Sequence, residues 1–516
     1  MQATSIFNHV IGPVMRGPSS SHTAGAYHIG ALARSLLGAP PSTAVIAFDE
    51  KGSYAKCYRG QGADLAFAAG LLGWSITDER FPGALGAAAD AGMTVKFVVR
   101  ELEDANHPNA VDISLSSADG RTLGARANSV GGGAIEFVRL ADWPVRLTGD
   151  AYEIAVETDC GAETQVLELL SCDGALLGDP ARRSRAGRSF LCVRRCLPLP
   201  PDGRDRLAAI SGVNHVWVTE PVFFVQCGSP MFAGADEMAA LARSRGLSLG
   251  RLALEYESVL LGLSEGETLA EMARRFDIMR RAVACGLAAQ PPGMRLLGPS
   301  AGRIYEADAA GRLAIGGIHA RAAARALAVM HVNSGMGIVC AAPTGGSAGV
   351  LPAVLVTLAE EKRLDPERVA LALLAAGAVG VVVANRATFA AEVAGCQVEI
   401  GAAGAMAAAA VVDAAGGTAE QAADAAAIAF QNTMGSVCDL VQGIVEIPCH
   451  TRNAAAASNA FLCADLILGG YVNPIPLDET VDAVYAVGKM LPGELRCTAL
   501  GGLAATPSAR AMKRLR

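Results

Sequence analysis

At 516 residues and 52.7 kDa, the chain has room for about three domains of roughly 150 residues, which excludes a single small module. Apolar residues make up 52% and charged ones 18%; the charged share is below the usual ~25%, so little of the chain is expected to be disordered. The 43 basic and 50 acidic residues are interspersed at a net charge of -7. That leaves no basic stripe for phosphates and no polybasic anchor for lipid, and neither nucleic acid nor a membrane is an expected partner.

The opening MQATSIFNHVIGP lacks a basic stretch followed by a long apolar one, so no secretory signal is read and the cytoplasm is the expected compartment. Residues 1–144 mix β-rich runs (42–48, 94–99, 110–115) with helical stretches (24–37, 63–72) bounded by Gly and Pro, which predicts an α+β domain. From 145 to 230 the composition is more polar. YEIAVET and HVWVTEPVFFV read as strands, TQVLELL as a helix and PLPPDGRDR as a loop, a second, small α+β module. From 231 to 516 the chain is rich in Ala, Gly and Leu, with helical windows at 237–245, 252–261, 269–287, 321–330, 366–384, 402–413 and 419–430. Small residues permit close helix approach, so an all-α bundle is expected whose loops are free to carry chemistry. Its longest apolar run, Val369–Ala384, is shorter than the ~20 residues a spanning helix needs, and reads as a buried helix. The predicted fold class is multidomain: an N-terminal α+β domain, a small α+β middle segment and a C-terminal all-α helical bundle.

Thirteen cysteines, an odd number, favour free thiols or metal ligands over a disulfide framework. Three sit in loop-like contexts: Cys396 in VAGCQVEIG, Cys438 in GSVCDLVQG and Cys449 in VEIPCHTRN. Thiolates beside Gly and Pro, with backbone N–H groups free to bond sulfur, suit iron–sulfur ligation. Their wide and unequal spacing matches no C-x₂-C pattern, and a lone Cys is otherwise a small buried apolar residue; spacing leaves both readings open. Two donor-rich loops stand out as well. Gly12 to Thr23 reads GPVMRGPSSSHT, and Asn333-Ser334-Gly335-Met336-Gly337 is followed by Ala342 to Gly349, APTGGSAG. Backbone amides and hydroxyls in such loops form anion-holding concavities ahead of a helix. Neither loop is a nucleotide-phosphate motif.

Taken together, these motifs resemble the iron–sulfur-dependent L-serine dehydratases (L-serine ammonia-lyases) in the single-chain arrangement, β-type domain first and α-type domain second. The resemblance covers nearly the whole chain and rests on GPSSSHTAG, His107-Pro108-Asn109, Ser129-Val130-Gly131-Gly132-Gly133, AAPTGGSAGVLP, GCQVEIG, CDLVQG, VEIPC, Arg452-Asn453 and LGGLAATPS, in family order. It implies a [4Fe–4S] cluster held by Cys396, Cys438 and Cys449, with one iron left for substrate. Three thiolates on a four-iron cube make a Lewis acid with an open position. A 2-amino-3-hydroxy acid chelating it through carboxylate and hydroxyl would lose water as the α-proton leaves. The resulting enamine tautomerises and hydrolyses to pyruvate and ammonia.

A base must take the α-proton, work that is worth roughly 10²–10⁴ in rate. Ser19, Ser20, Ser21 and His22 are the catalytic candidates, with His107 a further group for substrate binding or proton relay; the residues do not choose among them. Substrate-anchoring candidates are the hydroxyls of Ser19, Ser21 and Thr23, then Asn109, and the loop Thr344-Gly345-Gly346-Ser347, with Asp64 as ammonium partner. Arg452 either meets a carboxylate bidentately or tunes the cluster.

Where the family commonly has Gly-His-Gly-Thr-Asp, this chain has Gly60-Gln61-Gly62-Ala63-Asp64. Gln donates and accepts but cannot titrate, which keeps threonine, another 3-hydroxy amino acid or a related hydroxy acid as alternative substrates. Some members place a C-terminal cysteine on the open iron. Here the chain ends AMKRLR and the last cysteine, Cys497, lies well before that, so no self-capping tail is expected. GRDRLAAISGVNHVWV is similar to the helix-then-strand half of an ACT domain, which sets an effector role for 145–230 beside a structural or dimerisation one. None of the six lysines sits in a cofactor-loop motif, which argues against a pyridoxal-phosphate route. A cluster-based redox or iron sensor and a helical scaffold with incidental cysteines are the competing classes. Expected partners are a small amino-acid substrate and, by base rate, a second copy in a homodimer.

Overall fold

The computed structural model describes residues 3–159, 161–288 and 293–514, and the chain forms two compact units. One comprises Gly25–Val130 and Ala134–Cys227; the other comprises Met1–Ala24, Gly131–Gly133 and Gly228–Arg516.

The first unit contains two sheets. The larger runs, in spatial order, Thr94–Arg100, Pro41–Asp49, Ala110–Ser117, Thr122–Gly131, Ala134–Leu140, Trp143–Leu147. Pro41–Asp49 pairs in parallel with Thr94–Arg100 and antiparallel with Ala110–Ser117. The period-two burial of Ala44, Ile46 and Phe48 turns one face inward, where Phe48 stacks on Tyr54 and Phe97 at centroid distances of 5.1 and 6.1 Å. The last three strands fall outside the β-rich runs read from the sequence. Buried Arg126 is satisfied there by a two-point pair with Asp112 at 2.6 and 2.9 Å.

The smaller sheet is antiparallel, ordered Val213–Val218, Tyr152–Asp159, Arg188–Arg195, Ala181–Arg185. With helices Glu163–Ser171 and Gly203–Ala208 it follows a β-α-β-β-α-β succession. Two expectations change here. PLPPDGRDR is only partly loop, since Gly203 already begins a helix. HVWVTEPVFFV is strand only up to Val218. Pro221 lacks the N–H that a ladder needs, and the chain beyond bonds singly, through Thr219, Val222, Phe223 and Gln226 N–H groups, to carbonyls of residues 149, 150 and 153.

The second unit is mainly helical, as its composition predicts. The Ala-rich helix Ile400–Ala414 packs against Pro366–Arg386, Ala419–Gln431 and Cys449–Leu468. By length and composition the segments Pro366–Arg386 and Cys396–Ala414 could cross a membrane, but 83% and 94% of their apolar windows are buried inside the protein; they are core helices. Helix Cys449–Leu468 escapes the periodicity reading because Ala, Thr and Asn blur the contrast between its faces; Val350–Lys362 and Leu477–Met490 lie outside the helical windows read from the sequence as well. The segment Met1–Ala24, which the sequence groups with positions 25–144, clusters with this helical unit instead. Fully buried Glu257 accepts from Ser5 Oγ and from the Ile6 and Phe7 N–H groups at 2.6–2.8 Å. Val14–Arg16 then forms a short antiparallel pair with Ile338–Cys340.

Candidate active site and metal centre

Cys396, Cys438 and Cys449 are all buried in the helical unit. Cys396 opens the tight turn Cys396–Val398. Cys449, expected in a loop, is the first residue of helix Cys449–Leu468, and buried Glu446 steadies the turn before it by accepting the N–H groups of Arg295, Leu296 and Leu297 at 2.6–2.9 Å. Cys438 lies in extended chain, its N–H donating to the Leu495 carbonyl at 2.8 Å.

Ligand atoms of Cys396, Cys438 and Glu399 lie within 4.8 Å of one another. Contact between the first two thiols holds Cys396 below the ordinary thiol range and pushes Cys438 well above it. Burial, then the charges of Cys396 and Glu399, raises Cys449; burial and Cys396 raise Glu399. Groups that obstruct one another's ionisation in this way fit a site completed by a cation, and the soft thiolates suit iron, zinc or copper rather than magnesium or calcium.

Two further residues reach this centre without having been singled out. Glu399 follows Cys396 by about one helical turn, a spacing that the sequence does offer as a signal. Cys497 carries none. Its N–H donates to the Cys438 carbonyl at 2.9 Å, it adopts φ +63°, and its thiol helps push that of Cys438 up. Arg452 flanks Cys438 on both sides, donating to the Val437 carbonyl at 2.7 Å and pairing with Asp439 at 3.0 Å. Asp439 also accepts the Leu503 N–H at 2.8 Å. That contact needs glycine at 502, where φ is +59° and a Cβ would lie 2.5 Å from the carboxylate.

The donor loops adjoin this centre within the same unit. Fully buried Thr344 and Ser347 bond each other, hydroxyl to hydroxyl at 3.0 Å, so these two hold the loop's shape. A methyl on Gly345 would sit 3.0 Å from the Pro18 carbonyl and the Ser20 nitrogen, and one on Gly346 would sit 3.3 Å from Glu399 Oε2. The loop thus lies between the serine turn and the Glu399 carboxylate. Asn453 locks it, donating to the Gly346 and Cys449 carbonyls at 2.8 Å and accepting from the Gly349 N–H at 3.1 Å. In the serine turn, Ser19 Oγ lies 3.4 Å from His22 Nδ1 and accepts the His22 N–H at 3.2 Å. Ser19 is half-buried, whereas Ser20, Ser21, His22 and Thr23 are buried. Asn333 Nδ2 supports the turn through the Pro18 carbonyl at 2.9 Å, which accounts for the Asn333–Gly337 motif.

The remaining candidates belong to the other unit. His107 Nδ1 accepts the Asn109 N–H at 3.1 Å, buried Asn109 accepts the Ser129 N–H through its carbonyl at 3.2 Å, and Asp64 lines an open cleft with Arg59, Thr94 and Phe97. Gln61, in place of the expected His, is buried.

A helical unit with a buried thiol and carboxylate donor set beside a hydroxyl-rich turn defines a metal-site protein of the enzyme type. The family model described as "Serine dehydratase alpha chain" matches residues 244–504, and the chain belongs to that family. It is 38% identical over 284 residues to the probable L-serine dehydratase alpha chain of Bacillus subtilis, covering 55% of this chain and 95% of that one. It is 42% identical over 156 residues to the probable L-serine dehydratase beta chain of the same organism, 30% of this chain and 69% of that one. The L-serine dehydratase TdcG of Escherichia coli is 40% identical over 181 residues, 35% and 40% of the two chains.

Proposed function

We propose that this chain is a lyase that eliminates water from L-serine, giving pyruvate and ammonia, with a [4Fe–4S] cluster held by Cys396, Cys438 and Cys449. The observation that carries this reading is the gathering of the buried Cys396 and Cys438 thiols and the Glu399 carboxylate beside the loop that packs on the serine turn, within one unit, in a chain whose relatives are named L-serine dehydratase. When bound, such a cluster supplies a Lewis-acidic iron that stabilises charge on the substrate's oxygens.

The chain's own residues do the rest. Arg452 offsets the negative charge of Asp439 and the thiolates. Glu399 is the carboxylate beside the thiols, and it takes the ammonium role that the sequence assigns to Asp64. The amides of Gly345 and Gly346 and the hydroxyls of Ser21 and Thr23 hold the substrate carboxylate. Ser19 Oγ, the least buried hydroxyl of the turn, takes the α-proton as its own hydroxyl proton passes to a neutral His22 Nδ1, 3.4 Å away.

The test is anaerobic reconstitution with iron and sulfide, followed by an assay of pyruvate release from L-serine. Turnover of L-serine is expected. A fully loaded cluster without turnover would favour the sensor reading, and turnover of threonine or of a hydroxy acid alone would move the substrate to those alternatives.

A further inference from the structure

Away from the proposed active site, the sheet unit carries a cleft of about 820 Å³ where helix Gly25–Leu37 meets the small α+β module. The proline-rich stretch 198–201, PLPP, gives it an apolar wall, and Arg34 and Arg204 bring it positive charge. Both guanidiniums are held half-buried. Arg34 donates to the Leu71 carbonyl at 2.7 Å and crosses Gly73, where φ is +75° and a Cβ would lie 3.1 Å from Arg34 Nε. Arg204, in helix Gly203–Ala208, reaches the Val216 carbonyl at 3.4 Å. A Cβ on Gly38 would collide with Arg204 Nη1 and lie 3.1 Å from Arg121 Nη1, so two like charges share that glycine; burial and the Arg121 charge both lower the pKa of Arg204. Among the described residues neither Arg34 nor Arg204 has an ion pair with a carboxylate, whereas the more exposed Arg80, Arg146 and Arg274 each pair with one at 2.7 Å. Glu220 alone of the described lining residues is acidic; it is exposed, and what it gives the cleft is a backbone N–H bonded to Ser35 Oγ at 2.7 Å.

We propose that this cleft binds a small organic anion, its carboxylate or phosphate group held by Arg34 and Arg204 and its apolar body laid against residues 198–201. Half-buried guanidiniums without a carboxylate gain most from such a group, because the planar N–H fork meets its oxygens in charge-assisted hydrogen bonds. An apolar wall beside a few polar groups is the composition of small-molecule sites. Bound there, the anion ties helix Gly25–Leu37 to helix Gly203–Ala208 and offsets the repulsion gathered at Gly38.

The full-length, reconstituted protein is labelled with phenylglyoxal in the presence of phenyl phosphate, phenylacetate, inorganic phosphate or no anion, and the modified arginines are read by peptide mass spectrometry. Exposed Arg182, Arg183 and Arg185 of the strand Ala181–Arg185 serve as internal controls. Phenyl phosphate or phenylacetate should slow labelling of Arg34 and Arg204 together by about tenfold or more, as the loss of a charge-assisted hydrogen bond on labelling dictates, and leave the controls unchanged. Whichever of the two protects at the lower concentration identifies the charged group. In Arg204→Gln the protection of Arg34 should fall by about tenfold, and Arg204→Lys should restore part of it. No protection by either organic anion, equal slowing at the three controls, or protection by inorganic phosphate as strong as by phenyl phosphate would overturn the proposal.

Discussion

Cys497 is fixed to Cys438: its N–H reaches the Cys438 carbonyl at 2.9 Å, and Cys438 donates in turn to the Leu495 carbonyl at 2.8 Å. A fourth thiol therefore lies beside the three that the motifs single out, and cysteine substitutions separate their roles. Serine at 396, 438 or 449 should each remove most of the iron and lower activity more than about 100-fold, beyond the roughly 10–100-fold typical of losing a supporting residue. Serine at 497 should leave iron content near that of the unsubstituted protein. Iron analysis of the four variants after identical reconstitution checks this, and equal loss in all four would make Cys497 a ligand.

Glu399 sits among the thiols with its carboxylate against the Gly346 backbone. A charge-assisted hydrogen bond to an ammonium is worth about 1.5–3 kcal/mol. Glu399→Gln should therefore lower kcat/KM for L-serine about 10- to 100-fold, mainly through KM, with iron content retained. Steady-state kinetics alongside iron analysis distinguishes this from a loss of ligation.

Gly345 is where the two donor loops pack. Because a Cβ would lie 3.0 Å from both the Pro18 carbonyl and the Ser20 nitrogen, Gly345→Ala should displace the serine turn and lower kcat without releasing iron. A variant with unchanged kcat would show that the turn does not act where the loop places it.

Glu153 gives the sheet unit a pH response. Its carboxylate is fully enclosed, accepts the Thr148 and Gly149 N–H groups at 2.9 and 3.1 Å, and lies 3.9 Å from Arg194. Burial outweighs these and raises its pKa from 4.5 to about 7. In the unfolded chain it ionises near its ordinary value, so between about pH 4.5 and 7 the folded state holds the extra proton. Stability contributed by the protonated form is complete below that window and is lost as pH rises through it, by about 3 kcal/mol. All three tryptophans, Trp74, Trp143 and Trp217, belong to this unit. Denaturant unfolding followed by tryptophan fluorescence should show a midpoint that falls from pH 5 to pH 8, and Glu153→Gln should flatten that slope.

Much of the local structure was legible from residue order. Ala63–Leu72 forms over the range its composition predicts, the Val369–Ala384 run is a buried helix as its length requires, and the strands read at 42–48, 94–99 and 110–115 form with only slightly wider bounds. Period and turn chemistry are local properties, so they survive without knowledge of the fold. Readings failed where local contrast is weak or misleading, as in CHTRNAAAASNAF, whose small and polar residues conceal a helix, and in EPVFFV, whose apolar run ends as a strand at a proline.

The motifs by themselves determined which loops carry donors and which cysteines to suspect, because those residue types suit thiolate ligation and anion binding whatever surrounds them. Only the tertiary structure decided that Met1–Ala24 joins the helical unit, that Gly345 brings the serine turn against the Thr344–Ser347 loop, and that Glu399 and Cys497 share the thiol centre. Apart from Glu399, one turn beyond Cys396, these juxtapositions depend on packing and backbone pairing between segments far apart along the chain, and no local pattern in the sequence encodes such distances.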